Sequence, residues 1–382
     1  MIYLDYSATT PVDSRVLDAM LPYFTEFFGN PSSVHRYGQR AEFAVETARE
    51  TTARMLNCQP GEIIFTSCGS ESDNLALRGA AYAMREKTGA NWILASRAEH
   101  PAVTKTLYHL EKYEGFRIEW LEVDGHGMVS PETVSKAICD NTAVVSVMYA
   151  NNEIGTINPI RDIAEACRSR GVLFHTDAVQ AAAYLPVDVQ ELGVDMMSLG
   201  AHKFYGPKGV GALYVRRGTP LFPHLTGGGQ EFGLRAGTQN VSYIVGFAEA
   251  LRLTGVEREK RTAQVAPLRD QIIGTVLEVI PKARLTGHPV ARLPHHASFV
   301  FEHVDGNVLL TLLDAAGFAC SSGSACKTGT PEPSEVMNAI GLPRAWGLGS
   351  LRVTLGSGTT SEHIESFLSL LPELVEKARR LK

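Results

Sequence analysis

Between about residues 61 and 215, short apolar runs alternate with longer stretches of helical character, and few folds accept that pattern. Segments 63–66, 92–96, 118–123, 143–148 and 172–177 read as strands. Segments 71–86, 101–113, 131–138 and 159–170 read as helices. Pro101 stands in the first turn of the second helix, and Gly171 closes the last. Such alternation predicts a mainly parallel sheet with helices on both faces. Segments 196–199 and 212–215 are separated by only a dozen residues, several of them glycine, which leaves no room for a crossover helix. The second is therefore expected to return antiparallel at an edge of the sheet. A long helical region follows, roughly 242–280. Its charged centre, Glu257 to Arg261, reads as solvated and as the join between two units. The remainder mixes strands such as 297–301 with helices such as 308–316, a smaller α+β unit. No internal repeat or low-complexity segment is present.

With 382 residues the chain is too long for one simple core, which argues for two domains. Lysine and arginine number 36 against 41 acids, a net charge of −5 that asks for neither nucleic acid nor an anionic membrane. The first residues lack the basic flank and apolar stretch of a signal peptide, and no apolar run approaches the roughly 20 residues that span a bilayer. Cys58, Cys68, Cys139, Cys167, Cys320 and Cys326 are scattered through the chain, so free thiols in a reducing cytoplasm are expected. No Cys-x-x-Cys or His-x-x-x-His pattern occurs, and no structural zinc is expected.

The chemistry begins at Lys203. It follows the apolar run 194–199, while the preceding run delivers Asp177 at its end. A lysine amine at one strand end and an acid at its neighbour suit pyridoxal phosphate. The amine forms a Schiff base and the carboxylate keeps the ring nitrogen protonated. Lys208 competes for this role but follows Pro207 in a glycine-rich turn that fixes its direction poorly. Gly69 and Ser70 lie where a strand passes through small residues into a helix, an arrangement that favours an anion. Ser70 as a plain helix cap, with Asp73 completing a capping pair, fits the same residues. His202 can donate to that anion or serve the fold. His100, at a strand-to-helix turn, can stack on a planar ring and shuttle protons, or simply start its helix. Asn152 can bond a ring hydroxyl, or form a turn with Asn151. The loop 227–238 is rich in backbone donors, with Arg235 and Thr238 able to reach a phosphate. Arg352 lies on an expected strand, where its fork matches an α-carboxylate or an internal acid. Cys326 sits in Cys320-Ser-Ser-Gly-Ser-Ala-Cys326-Lys-Thr-Gly, a small, polar stretch suited to an accessible thiolate. Cys320 borders apolar residues and is expected to pack.

Taken together, Tyr3-Leu-Asp-Tyr-Ser-Ala-Thr-Thr-Pro11, Gly29-Asn-Pro-Ser-Ser-Val-His35, Asn151-Asn-Glu-Ile-Gly155, His202-Lys203 and Ser321-Ser-Gly-Ser-Ala-Cys326 resemble the cysteine desulfurases over nearly the whole chain. The branch resembled serves iron–sulfur cluster assembly. The resemblance implies the aspartate aminotransferase fold (fold type I). Residues 15–256 would form a large cofactor-binding domain, and 1–14 with 257–382 a small one carrying the cysteine loop. It implies pyridoxal phosphate on Lys203, with Asp177 at its ring nitrogen, Gln180 and Asn152 at its ring oxygen and His100 on its face. Gly69, Ser70 and His202 would hold its phosphate, with Thr238 reaching in from the second subunit of a homodimer. Arg352 would hold the carboxylate of L-cysteine, and Cys326 would take the sulfur as a persulfide. The sulfur would pass to an iron–sulfur scaffold or another acceptor, with Cys326 a candidate transient cluster ligand and no resident metal. A selenocysteine lyase or an aminotransferase of the same fold, and a non-enzymatic sulfur carrier, are the competing readings. The chain departs from the family at Gly200, where serine is usual, at Ser70 for threonine, and at Cys68 for glycine.

Overall fold

The computed structural model describes residues 1–322 and 332–381. The chain opens with strand β1 (Ile2–Tyr3), short helices α1 (Ser14–Met20) and α2 (Pro22–Thr25), and the long helix α3 (Arg36–Leu56). The alternating region follows: β2 (Ile63–Thr66), α4 (Gly69–Thr88), β3 (Trp92–Ser96), α5 (Pro101–Glu114), β4 (Arg117–Leu121), α6 (Pro131–Ala137), β5 (Thr142–Ser146), α7 (Ile160–Arg168), β6 (Leu173–Asp177), α8 (Val189–Leu192), β7 (Met196–Gly200) and β8 (Gly211–Val215). The last part holds α9 (Val241–Val279), β9 (Ala283–Leu285), β10 (His296–Phe301), α10 (Gly306–Ala315), β11 (Phe318–Ala319), α11 (Glu335–Ala339), α12 (Arg344–Gly347), β12 (Ser350–Thr354) and α13 (Ser361–Arg380).

Seven strands form one sheet in the order β2-β8-β7-β6-β5-β3-β4. All run parallel except β8, which is antiparallel to both neighbours. The sheet is apolar on both faces because successive residues point to opposite sides. Ile64, Ile93, Val144, Met196 and Leu213 join α4 and α5 in one core. Their neighbours Phe65, Leu94, Val145, Met197 and Ala212 face the larger core with α3, α7 and α9. The small residues of α4, among them Ala76, Gly79, Ala80 and Ala83, are buried; Gly79 lies against Leu221 and Phe222.

The antiparallel return of β8 was legible in the sequence, but its place at an edge was not. It lies inside the sheet, and β2 is the edge strand. Edge strands carry unpaired backbone groups that need covering. Here the Glu231 carboxylate accepts the Phe65 N–H at 2.8 Å, and buried Arg49 holds Glu231 at 2.8 and 2.9 Å. The charged centre of α9 also departs from expectation. Arg261 is buried, pairs with Glu257 at 3.0 Å and stacks over the Tyr205 ring. Helix α9 runs unbroken through positions 256 and 257.

A second, antiparallel sheet has the order β12-β10-β9. The N-terminus joins this part of the chain: β1 pairs in parallel with β11, and Asp5 bridges to Thr354 on β12. Among the described residues no helix is long and apolar enough to cross a membrane.

Candidate active site

Parallel sheets bind ligands beyond the carboxyl ends of their strands, where the strand order reverses. Here the reversal lies between β3 and β5. At that rim a cavity of about 260 Å³ is lined by Gly69, Ser70, His100, Asn152, Asp177, Gln180, His202, Lys203 and Arg352. Of the expected site residues, all but Thr238 and Cys326 converge on it. Cys326 lies outside the described residues. Thr238 is exposed and lines a neighbouring cleft with Thr66, Ser67 and Arg235. Arg235 is engaged by Glu71 at 2.8 Å.

Lys203 ends a single tight helical turn directly after β7. Its Nζ donates to the carbonyls of Ser7 (2.6 Å) and Ala8 (2.7 Å). Burial, aided by Arg352, lowers its pKa to about 8, so a neutral, nucleophilic amine is within reach near physiological pH. Asp177 closes β6, is buried, and accepts the Val179 N–H at 2.9 Å. Beneath it lie two further acids that the sequence did not single out as part of the site. Asp73 lines the cavity, with one of its oxygens within 4.8 Å of polar atoms of both His100 and Asp177. Burial, then the Asp177 charge, pushes Asp73 well above the usual carboxylate range. Burial also raises Glu99 to about 8. Burial raises Asp177 too, but Asp177 alone of the three has His100 and Lys203 working against that rise, so it is the acid best placed to carry the negative charge. His175 sits between Ser146 and Ser198, 2.9 Å from each hydroxyl, and burial lowers it to about 3, which keeps it neutral.

His100 is the cap of α5, and its Nδ1 accepts the Ala102 N–H at 3.1 Å. The neutral ring therefore carries its proton on Nε2. Capping and a place in the cavity belong to the same residue. The Asn151-Asn152 pair divides its work differently. Asn151 Oδ1 accepts from the Glu153 and Ile154 amides and builds the turn. Asn152 Oδ1 is buried with no partner among the described residues. Helix α4 is capped by Cys68, with no side-chain hydrogen bond, and not by Ser70. Ser70 is exposed at the second helical position, beside amides that lack intrahelical partners. A β-carbon on Gly69 would come 2.6 Å from Val179 Cγ2, so any side chain there would have to displace Val179. At Gly200 a β-carbon would stand 3.4 Å from Val179 Cγ1 and 3.5 Å from the Gly69 nitrogen, ordinary contacts that do not demand glycine.

The segment Asp5 to Thr10 carried part of the family resemblance in the sequence, but its residues were given no role in the site. Besides Lys203, the Ser7 carbonyl takes Gln180 Nε2 at 2.9 Å. Thr9 Oγ1 meets His202 Nδ1 at 3.2 Å, and Asp5 pairs with Arg352 at 2.8 Å. Most of these bonds use backbone carbonyls, which carry no sequence signal. Arg352 also gives Nη1 to the Asn152 carbonyl at 2.9 Å, and its backbone pairs with Ser321. On the other side of the undescribed residues, Ser334 donates to Glu153 at 2.5 Å. The chain thus enters and leaves segment 323–331 beside Arg352 and Asn152. Cys320 packs against the main core, and burial pushes its thiol up.

The pattern of the Aminotransferase class-V family matches residues 2–367. A cysteine desulfurase IscS from Methanosarcina thermophila is 47% identical over 380 residues, covering 100% of this chain and 93% of that protein. Another, from Dictyoglomus turgidum, is 45% identical over 380 residues, covering 100% of this chain and 96% of that protein. Among solved structures, a NifS-like protein superposes with a TM-score of 0.91 at 36% identity, covering 98% of this chain and 99% of that one. The protein SspA in complex with cysteine superposes with a TM-score of 0.81 at 34% identity, covering 94% of this chain and 100% of that one.

Proposed function

The chain belongs to the class-V aminotransferase family and is a pyridoxal-phosphate-dependent cysteine desulfurase, and from that premise we propose which of its residues do the work. What carries the reading is the convergence of an amine, an acid, an imidazole, an unpartnered amide and an arginine on one cavity.

Pyridoxal phosphate fits the residues present. The free amides at the start of α4, with Ser70 and His202, would take its phosphate. Gly69 keeps that end of the cavity open. Asp177 would face the ring nitrogen, Asn152 and Gln180 the ring oxygen, and His100 the ring face. Lys203 is the amine that would hold it covalently. When bound, the cofactor supplies an electron sink that labilises the bonds of the amino acid's α-carbon and, through it, the carbon–sulfur bond.

Around that sink the chain's own groups bind and move protons. Arg352 binds the α-carboxylate of L-cysteine, a two-point grip that aims the α-hydrogen at Lys203. Lys203 Nζ takes that proton and returns it. Asp177 would supply the negative charge opposite the ring nitrogen, while burial favours the neutral forms of Asp73 and Glu99. His100 holds an N–H at Nε2 for proton transfer near the substrate. Cys326 Sγ attacks the substrate's sulfur. A sulfur–sulfur bond forms as the carbon–sulfur bond breaks, and the proton balance leaves alanine and a persulfide on Cys326. No external oxidant or reductant enters. The anchoring of Ser321 on Arg352 and of Ser334 on Glu153 supports delivery of Cys326 to this cavity. The persulfide sulfur then passes to an acceptor, an iron–sulfur scaffold in our reading.

Purified protein given pyridoxal phosphate and L-cysteine, with no keto acid, is expected to release alanine and to gain one sulfur atom on the Cys326 peptide. Alanine that appears only when a keto acid is supplied would make the protein a transaminase.

A homodimer is proposed on two grounds. Phe24, Phe28, Tyr37 and Phe43 are exposed, and Phe43 lines a cleft with Tyr23, Phe27 and Arg40, apolar surface that a second subunit would cover. Thr238, exposed and outside this chain's own cavity, would serve the partner's phosphate site. Light scattering is expected to return twice the mass of one chain, and a monomer at micromolar concentration would overturn the assignment. Residues 1–14 and 257–382 are proposed to act as one small domain, supported by the pairing of β1 with β11. Proteolysis that separates the N-terminal segment from that part without loss of fold would count against it.

A further inference from the structure

Arg352 is buried, and its guanidinium is only partly spoken for. Nη1 donates to the Asn152 carbonyl at 2.9 Å and Nη2 to Asp5 Oδ1 at 2.8 Å, while Nε–H has no partner among the described residues. Nε and Nη2 form the side edge of the fork that a carboxylate grips with two parallel bonds. Asp5 therefore already holds one of the two nitrogens of that edge, which an amino acid's carboxylate can use. It cannot easily withdraw. Asp5 bridges to Thr354, two positions along the strand that carries Arg352. On either side of it the Thr354 amide donates to the Leu4 carbonyl at 2.8 Å and the Ser7 amide to Thr354 Oγ1 at 2.9 Å.

We infer that Asp5 is a specificity-determining residue, a carboxylate of the chain itself that aims Arg352 into the cavity and competes with the ligand's carboxylate for it. The inference rests on the reading of Arg352 as the carboxylate-binding residue. Its consequence is chemical. A simple carboxylic acid meets the Asp5 charge with nothing to offset it, whereas a zwitterionic α-amino acid brings its own ammonium. The Asp5 charge is also felt at Lys203, whose protonated form it favours. The site thereby rejects anions that offer only a carboxylate.

The test is a calorimetric titration of cofactor-loaded wild type, Asp5→Asn and Arg352→Gln with propanoate and with L-alanine. Asparagine keeps an acceptor for Nη2 and removes the charge. Asp5→Asn is expected to bind propanoate roughly tenfold more tightly, the scale for removing one like charge from a partly buried site, and L-alanine by a smaller factor. Propanoate affinity that is unchanged or weaker in Asp5→Asn overturns the inference, because a merely structural aspartate gives no gain. Asp5→Ser, also uncharged and smaller, carries the same expectation if the asparagine variant does not fold. Arg352→Gln separates the two levels. If it binds L-alanine as wild type does, the carboxylate assignment itself fails; if it loses L-alanine while Asp5→Asn matches wild type, only the role of Asp5 fails.

Discussion

Cys326→Ala is expected to take up cofactor normally and to lose sulfur release from L-cysteine by roughly three orders of magnitude or more, the scale on which covalent nucleophiles act. Cys58, Cys167 and Cys320 are poor substitutes. Burial pushes Cys58 and Cys167 up to about 12, far from the thiolate form, and Cys320 is pushed up as well. Cys68 is different because it lines the same cavity, at the cap of α4. Cys68→Ser is therefore the paired control and is expected to retain sulfur release. Sulfide assay and peptide mass spectrometry decide between the two. Wild-type sulfide from Cys326→Ala, or the added sulfur found on the Cys68 peptide, would remove Cys326 from the mechanism.

Lys203→Ala is expected to lose the covalent hold on the cofactor and to slow exchange of the substrate α-hydrogen about 10³-fold, within the range for a positioned acid–base group. Borohydride reduction followed by mass spectrometry reads the first effect, and deuterium entry into alanine from heavy water reads the second. The wild-type protein offers a test of the same residue by pH. Only the neutral amine attacks an aldehyde, and burial with Arg352 nearby has lowered Lys203 to about 8. Addition of cofactor to the cofactor-free protein should quicken as pH rises through about 8. A midpoint near the ordinary lysine value of about 10.5 would mean that the amine is not held in this environment, or that another lysine reacts.

The strands and helices of the alternating region were legible because each lies between two apolar layers, so its pattern is local and nearly continuous. Strand order was less so. That β8 lies between β7 and β2 depends on which strand approaches from residues 63–66, a pairing about 150 positions apart that no local pattern records. The helix start at Cys68 was misread because serine and aspartate three positions apart mimic a capping pair, whereas Asp73 turns inward beside His175. Arg261, in a run of charges, looked solvated. The ring of Tyr205 and the Glu257 carboxylate receive it in the fold.

From the sequence alone came the residue types that pyridoxal chemistry requires, Lys203, Asp177, His100, Asn152 and Arg352, and the places of the first four at strand ends. A parallel sheet sends all its strand ends to one rim, so local order along the chain already implied the convergence of the first four; Arg352, mid-strand in the second sheet, is brought to them by the tertiary fold. What only the tertiary structure decided was how those groups are held. The Asp5–Thr10 segment reaches them mainly through backbone carbonyls and one short carboxylate, across separations of some 170 to 350 residues. Burial raises Asp73, Glu99 and Asp177 alike, and only the nearness of His100 and Lys203 sets Asp177 apart. Hydrogen bonds accepted by main-chain oxygens and the loss of water depend on position in space and not on side-chain identity, so neither leaves a mark in the order of residues.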